Sequence, residues 1–146
     1  MKDVPDMESK IRHLEMIQDA VKRMASNLFF LKGWSITLVV GLFALAAAKD
    51  SNPIYSIIAF LPLFVFWILD GYFLSMERSF RDMYEDVRKR EPKDIDFAMN
   101  PQPYKEANPR NGWLVSLCSP TLTWFYLVII VSMLLAMWKL MTITPQ

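Results

Sequence analysis

Apolar positions along this chain follow two patterns. Three stretches, 28–48, 54–76 and 122–140, are apolar almost without interruption. Beside the first two, apolar residues return every third or fourth position. Leu14, Ile17, Val21, Met24, Leu28 and Leu31 recur at spacings 3, 4, 3, 4, 3, and Phe73, Met76, Phe80, Met83 and Val87 at 3, 4, 3, 4. The continuous runs match the roughly 20 helical residues that cross a bilayer core of about 30 Å. Backbone groups in hydrocarbon must be satisfied within the segment, so each run is predicted as a helix. No stretch shows the alternation of a membrane β-barrel strand. The spaced positions read as heptad seams, one on each of two helices.

The predicted fold is all-α and integral to a membrane, with three transmembrane helices. Residues 1–27 form an amphipathic cytoplasmic helix that runs into a first span at 28–48. Nothing from Glu8 to Ala48 breaks it except Gly33 and Gly41, so one long continuous helix is expected there. A turn at 49–53 leads to a second span at 54–76. Pro62 predicts a kink there. The helix continues through 77–91 and stops near Arg90, because the residue before Pro92 disfavours helical backbone. Residues 92–112 read as a loop, with Pro92, Pro101, Pro103, Pro109 and three asparagines. Ile95, Phe97, Met99 and Tyr104 are the side chains able to dock it. Residues 113–140 supply an interfacial lead-in and the third span, with Pro120 in its first turn, and 141–146 form an outer tail. The first two spans are expected as an antiparallel hairpin extended below the membrane, where each seam either buries the other within one protomer or stays open for a neighbour.

Charge fixes the expected orientation. Residues 1–27 carry five Lys/Arg and 77–112 carry eight, thirteen of the sixteen in the chain. Those two segments share a side in a three-span topology, which makes that side, with the N-terminus, cytoplasmic. Trp34, Tyr72 and Trp113 then fall near the inner interface, and Tyr55 and Trp138 near the outer one. Ala44-Leu45-Ala46 is not expected to be a signal-cleavage site, since the apolar run before it is too long and its leader lacks net positive charge.

Composition narrows the chemistry. The chain is 53% hydrophobic with a formal net charge of +1, which excludes a basic nucleic-acid-binding domain. Its one cysteine, Cys118, excludes an intrachain disulfide and is read as a buried inert thiol, palmitoylation being the alternative. Its one histidine, His13, lies beside Arg12 and Glu15 and is read as a solvated surface residue. No phosphate-binding, dinucleotide or zinc motif occurs. The chain is therefore expected to be no enzyme and to use no catalytic residue, metal or cofactor.

Of 31 formal charges, three lie inside the apolar runs: Lys32, Asp70 and Lys139. Lys139 sits at an end. Lys32 and Asp70 lie equally far along the chain from Ser51, the middle of the turn, and each precedes a glycine and an aromatic residue. Equal distance from a tight turn means equal depth in a hairpin, so the two are expected to pair, within one hairpin or between neighbouring copies, with Gly33 and Gly71 letting the helices approach. The pair either pins helix register or lines a polar path or gate; the remaining alternative is that Lys32 reaches headgroups and Asp70 meets water.

The layout around residues 29–34, 70–73 and 77–90 resembles the SLATT-type membrane proteins, small bacterial proteins associated with anti-phage defence. The resemblance covers about residues 8–90; the third span departs from a two-span plan. It implies a membrane effector of the bacterial inner membrane that forms homo-oligomers and compromises the bilayer when a cytoplasmic sensor signals. The alternative is a membrane anchor or adaptor that recruits a cytoplasmic partner through residues 77–112. The partners expected on the first reading are the lipid bilayer, copies of the chain and a cytoplasmic sensor, with no nucleic acid.

Overall fold

The computed structural model describes residues 6–46, 48 and 54–143. The expected turn at 49–53 and the end of the tail at 144–146 lie outside the described residues. The architecture is all-helical, with no strand among the described residues: α1 Met7–Ala46, α2 Ile54–Ile58, α3 Phe60–Val87, α4 Gln102–Ala107, α5 Trp113–Leu117 and α6 Pro120–Ile143. Three helices are long and apolar enough to cross a membrane, in the stretches Met7–Ala46, Phe60–Val87 and Pro120–Lys139.

Local chemistry explains the boundaries. Asp6 starts α1 by accepting the Ser9 backbone N–H at 2.8 Å. That bond satisfies a donor of the first turn. No proline follows before Pro53, so α1 runs unbroken for 40 residues. The second stretch departs from the single kinked helix expected. It breaks at Ala59, because Pro62 has no N–H for the Ile58 carbonyl and its ring crowds that carbonyl. α3 ends at Val87, short of the expected stop near Arg90. Tighter bonds, Lys89 N–H to Asp86 and Arg90 N–H to Val87, carry the chain through a last turn. Lys10 then caps it, its Nζ donating to the carbonyls of Arg88 at 2.9 Å and Arg90 at 2.7 Å. A cation suits the free carbonyls of a helix end.

The described chain forms two compact units, one holding Met1–Leu28 with Tyr72–Ser116 and the other Phe29–Gly71 with Leu117–Gln146. The first is the charged unit. Its core joins Ile17 and Ala20 of α1, Phe80, Met83 and Val87 of α3, and Ile95. Leu14, Val21, Met76, Tyr84, Phe97 and Tyr104 pack against it. Met24, Leu28 and Phe73 are half-buried. The buried centre of α1 lies one position before two of the seam sites: His13 and Ala20 are buried where Leu14 and Val21 are only half-buried.

Residues 92–112 are less loop-like than expected. They contain two 3₁₀ turns, Pro92–Asp94 and Pro109–Asn111, and the α4 helix. Each begins at or beside a proline, whose fixed φ suits a first helical position. Of the residues expected to dock this segment, Ile95, Phe97 and Tyr104 do so and Met99 is exposed. Glu77 pairs with Arg81 at 2.7 Å, whereas Glu85 pairs with Arg88 at 2.9 Å. Both spacings bring side chains together on one helix face.

The apolar unit contains the remainder of α1 and α3, α2 and α6. Its buried residues include Val39, Ala46, Leu63, Leu122, Tyr126 and Met133. Leu31 is half-buried. Gly71 and Gly33 play different parts from those expected. A Cβ on Gly71 would stand 2.9 Å from Leu117 Cδ1 and 3.0 Å from its Cα, so this glycine admits the backbone at Leu117; nothing lies within 4 Å of a Cβ on Gly33. Gly71→Ala should therefore lower stability by about 1–3 kcal/mol through overpacking. Gly33→Ala should be neutral or stabilising by up to about 1 kcal/mol through helix propensity. Thermal unfolding of the two variants in the same nanodisc checks the contrast, and equal shifts would contradict it. Cys118, expected to be buried, is exposed in the short link between α5 and α6.

Candidate functional site

The apolar unit brings Lys32 and Asp70 together and adds a third group. Lys32 Nζ lies 2.9 Å from Asp70 Oδ2. Tyr126 of α6 donates its hydroxyl to the same oxygen at 2.9 Å. Asp70 and Tyr126 are fully buried, while the Lys32 side chain keeps 25% of its exposure. Three helices thus converge on one carboxylate oxygen.

Aromatic rings build the walls. Lys32 Nζ stands 5.7 Å from the centroid of Phe125. That separation is within cation–π range. Trp67 stacks on Tyr126 with centroids 5.4 Å apart and planes 15° apart, and its Nε1 donates to the Leu117 carbonyl at 3.1 Å. Trp67 and Asp70 lie one helical turn apart on α3, so one face of that turn holds α6 by both stacking and hydrogen bonding.

Tyr126 is absent from the residues singled out by sequence. A signal exists: a tyrosine inside an apolar helix must satisfy its hydroxyl, and buried charges need extra donors. Yet α6 contains other polar positions, and no spacing rule links position 126 to position 70.

The other Asp70 oxygen, Oδ1, is buried with no hydrogen-bond partner among the described residues. The hydroxyls of Ser35 and Ser119 in the same unit are also buried without one. Breaking a buried ion pair costs about 3–5 kcal/mol because it strands the surviving charge. The triad therefore ties three helices to one carboxylate that is buried from bulk water. It has no nucleophile–base pair, and no cluster of three metal-ligating side chains occurs among the described residues. What it can do chemically is hold charge and orient a hydroxyl.

A second polar cluster lies in the charged unit, along one stripe of α3. Ser75 donates to the Asn111 carbonyl. Arg78 donates to the Arg110 carbonyl at 3.0 Å and to Ser116 Oγ at 3.3 Å. Asp82 Oδ2 accepts the side-chain amides of Asn108 at 2.8 Å and Asn111 at 2.7 Å. Asp86 accepts the Tyr104 hydroxyl at 2.6 Å and pairs with Arg90 at 2.6 Å. The Tyr104 bond holds the Asp86 carboxyl below its usual range, with Arg90 adding to it. Burial, reinforced by Asp86, pushes the Tyr104 phenol up to about 12. Burial also lowers Arg78, with Arg110 adding to that effect. The stripe secures residues 104–116 against α3, and Asn111 among them is buried.

Compared with known proteins, the chain matches no family model, no curated protein and no solved structure. The two clusters and the surface therefore carry its functional reading.

Proposed function

We propose that this chain is a non-enzymatic, three-span protein of the bacterial inner membrane. On this reading its N-terminus is cytoplasmic, it assembles with copies of itself, and it permeabilises the bilayer. The observation that carries the reading is the Lys32–Asp70–Tyr126 triad. An isolated charge at mid-bilayer costs about 2.5–3.5 kcal/mol, and ionisable groups kept inside such helices commonly serve ion or proton movement. Here the charge is paired, yet one carboxylate oxygen has no partner among the described residues.

The surface supports the membrane part. Phe29, Phe30, Trp34, Val40 and Leu45 of α1 and Trp124, Leu135 and Trp138 of α6 are all exposed. Large exposed apolar patches are rare on water-soluble monomers, and exposed apolar side chains in this number suit contact with lipid. Within the charged unit Lys10 meets the end of α3, and within the apolar unit Lys32 meets Asp70. Both contacts suit the antiparallel hairpin. The layout shared with SLATT-type proteins points the same way for oligomerisation and for gating by a cytoplasmic sensor. The adaptor alternative has less support, because residues 104–116 already direct their polar groups to α3 of the same chain.

Induced expression in cells loaded with a potential-sensitive dye is expected to depolarise the membrane. The mass of the nanodisc-embedded particle should correspond to several chains. Unchanged potential with a partner captured through 77–112 would favour the adaptor, and a strictly monomeric particle would remove the pore in this form.

A further inference from the structure

The sequence neighbours of His13 place the one histidine of the chain on a solvated face. The structure instead buries it completely, with neither ring nitrogen bonded to any described residue. A neutral imidazole offers one donor and one acceptor, so a buried site with no partner for either among the described residues is unusual. The cover over it is the segment after α3. Phe97 packs edge-on against the imidazole, with centroids 5.3 Å apart and planes 61° apart. The backbone of Phe97 has a φ of 57°. A bulky aromatic residue rarely adopts that left-handed conformation. Its neighbour Ile95 enters the core beside Ile17 and Met83. A buried histidine without partners and a strained residue thus hold each other in place.

We propose that His13 is a proton-operated latch: protonation of its imidazole releases residues 95–97 from α1 and uncovers the apolar core beneath them. Imidazolium carries two N–H donors and a positive charge, and among the described residues the docked site supplies no acceptor for either donor. The proton-bound form therefore belongs to the released state. Charged groups around the latch do not cancel this. Asp96 of the covering segment is the one whose charge reaches the imidazole and favours protonation. On α1, Arg12 is engaged with Glu8 at the surface. On α3, Asp86 is engaged with Arg90 and Glu85 with Arg88. Burial is the larger influence and holds His13 below the usual imidazole range, against the opposing pull of Asp96.

Linkage gives the direction of the pH dependence. The released segment binds a proton that the docked one resists, so docking strength is full above about pH 6.5 and falls below it, by at most about tenfold per pH unit for one proton. This latch does not depend on the bilayer-permeabilising reading.

The test uses the full chain in nanodiscs with labelled histidine, whose single imidazole signal is unambiguous. The Ile95 methyl signal, assigned by its loss in Ile95→Leu, reports docking. On acidification from pH 8 to pH 5, His13 is expected to titrate with a midpoint below the usual imidazole value, and the Ile95 methyl should move to a solvent-exposed position in the same step. His13→Phe, which keeps an apolar ring in the site, should abolish the Ile95 transition. Titration of His13 with Ile95 unmoved, no titration down to pH 5, or an Ile95 transition that persists in His13→Phe would each overturn the latch.

Discussion

Asp70→Leu alone is expected to cost about 3–5 kcal/mol, enough to abolish accumulation of a marginally stable chain. It leaves the Lys32 ammonium and the Tyr126 hydroxyl without their shared acceptor. The same change combined with Lys32→Met and Tyr126→Phe should recover most of that loss. Buried ion pairs replaced whole by apolar groups of similar size are often neutral or stabilising. Thermal unfolding of both variants in one lipid composition decides the matter, and a triple variant no better than the single would show that the triad is not a self-contained unit. Charge exchange, Lys32→Asp with Asp70→Lys, separates register from conduction. If the pair only pins register, the exchanged chain should accumulate and depolarise cells like the parent. If the carboxylate serves passage of ions or protons at its own depth, accumulation should return without depolarisation.

The second large effect is expected at Asp82. Asp82→Ala removes one oxygen that accepts two asparagine amides. Each is a bond to a charged group, of about 1.5–3 kcal/mol. Residues 102–111 should become accessible to trypsin at Lys105 and Arg110 while α1 and the upper part of α3 keep their helicity. Asp82→Asn should be milder, since an amide oxygen still accepts from one of the two. Cleavage equal to that of the parent chain would mean that packing of Ile95 and Tyr104 alone holds the segment. The variant also bears on the adaptor reading: a partner recruited through 77–112 would bind the released segment differently from the docked one, whereas depolarisation by a pore need not change.

Much of the helix plan is legible in periodicity, because the causes are local. The length of α1 follows from the absence of proline between Asp6 and Pro53, and the opening of α6 from Pro120 at its first turn. Seam positions Ile17, Phe80, Met83 and Val87 enter one core because helical spacing puts them on single stripes. What periodicity misplaces depends on contacts distant in sequence. His13 has polar neighbours and a polar composition around it, and it is the path of residues 95–97, distant in sequence, that brings Phe97 onto its ring. Gly33 and Gly71 look alike in sequence, yet Leu117 closes on one of them alone. The Pro/Asn-rich run at 92–112 reads as a loop by composition, while the acceptors that order it, Asp82 and Asp86, lie on α3.

The amino-acid sequence by itself determined the three long apolar helices, the segregation of charge from them and the singling out of Lys32 and Asp70, since run length, proline placement and hydrophobic period act within a few residues. Only the tertiary structure decided that Tyr126 joins that pair, that His13 is buried under Phe97 and that the proline-rich segment is fastened to α3. Each depends on which distant groups supply a donor, an acceptor or a covering surface, and no local period records that.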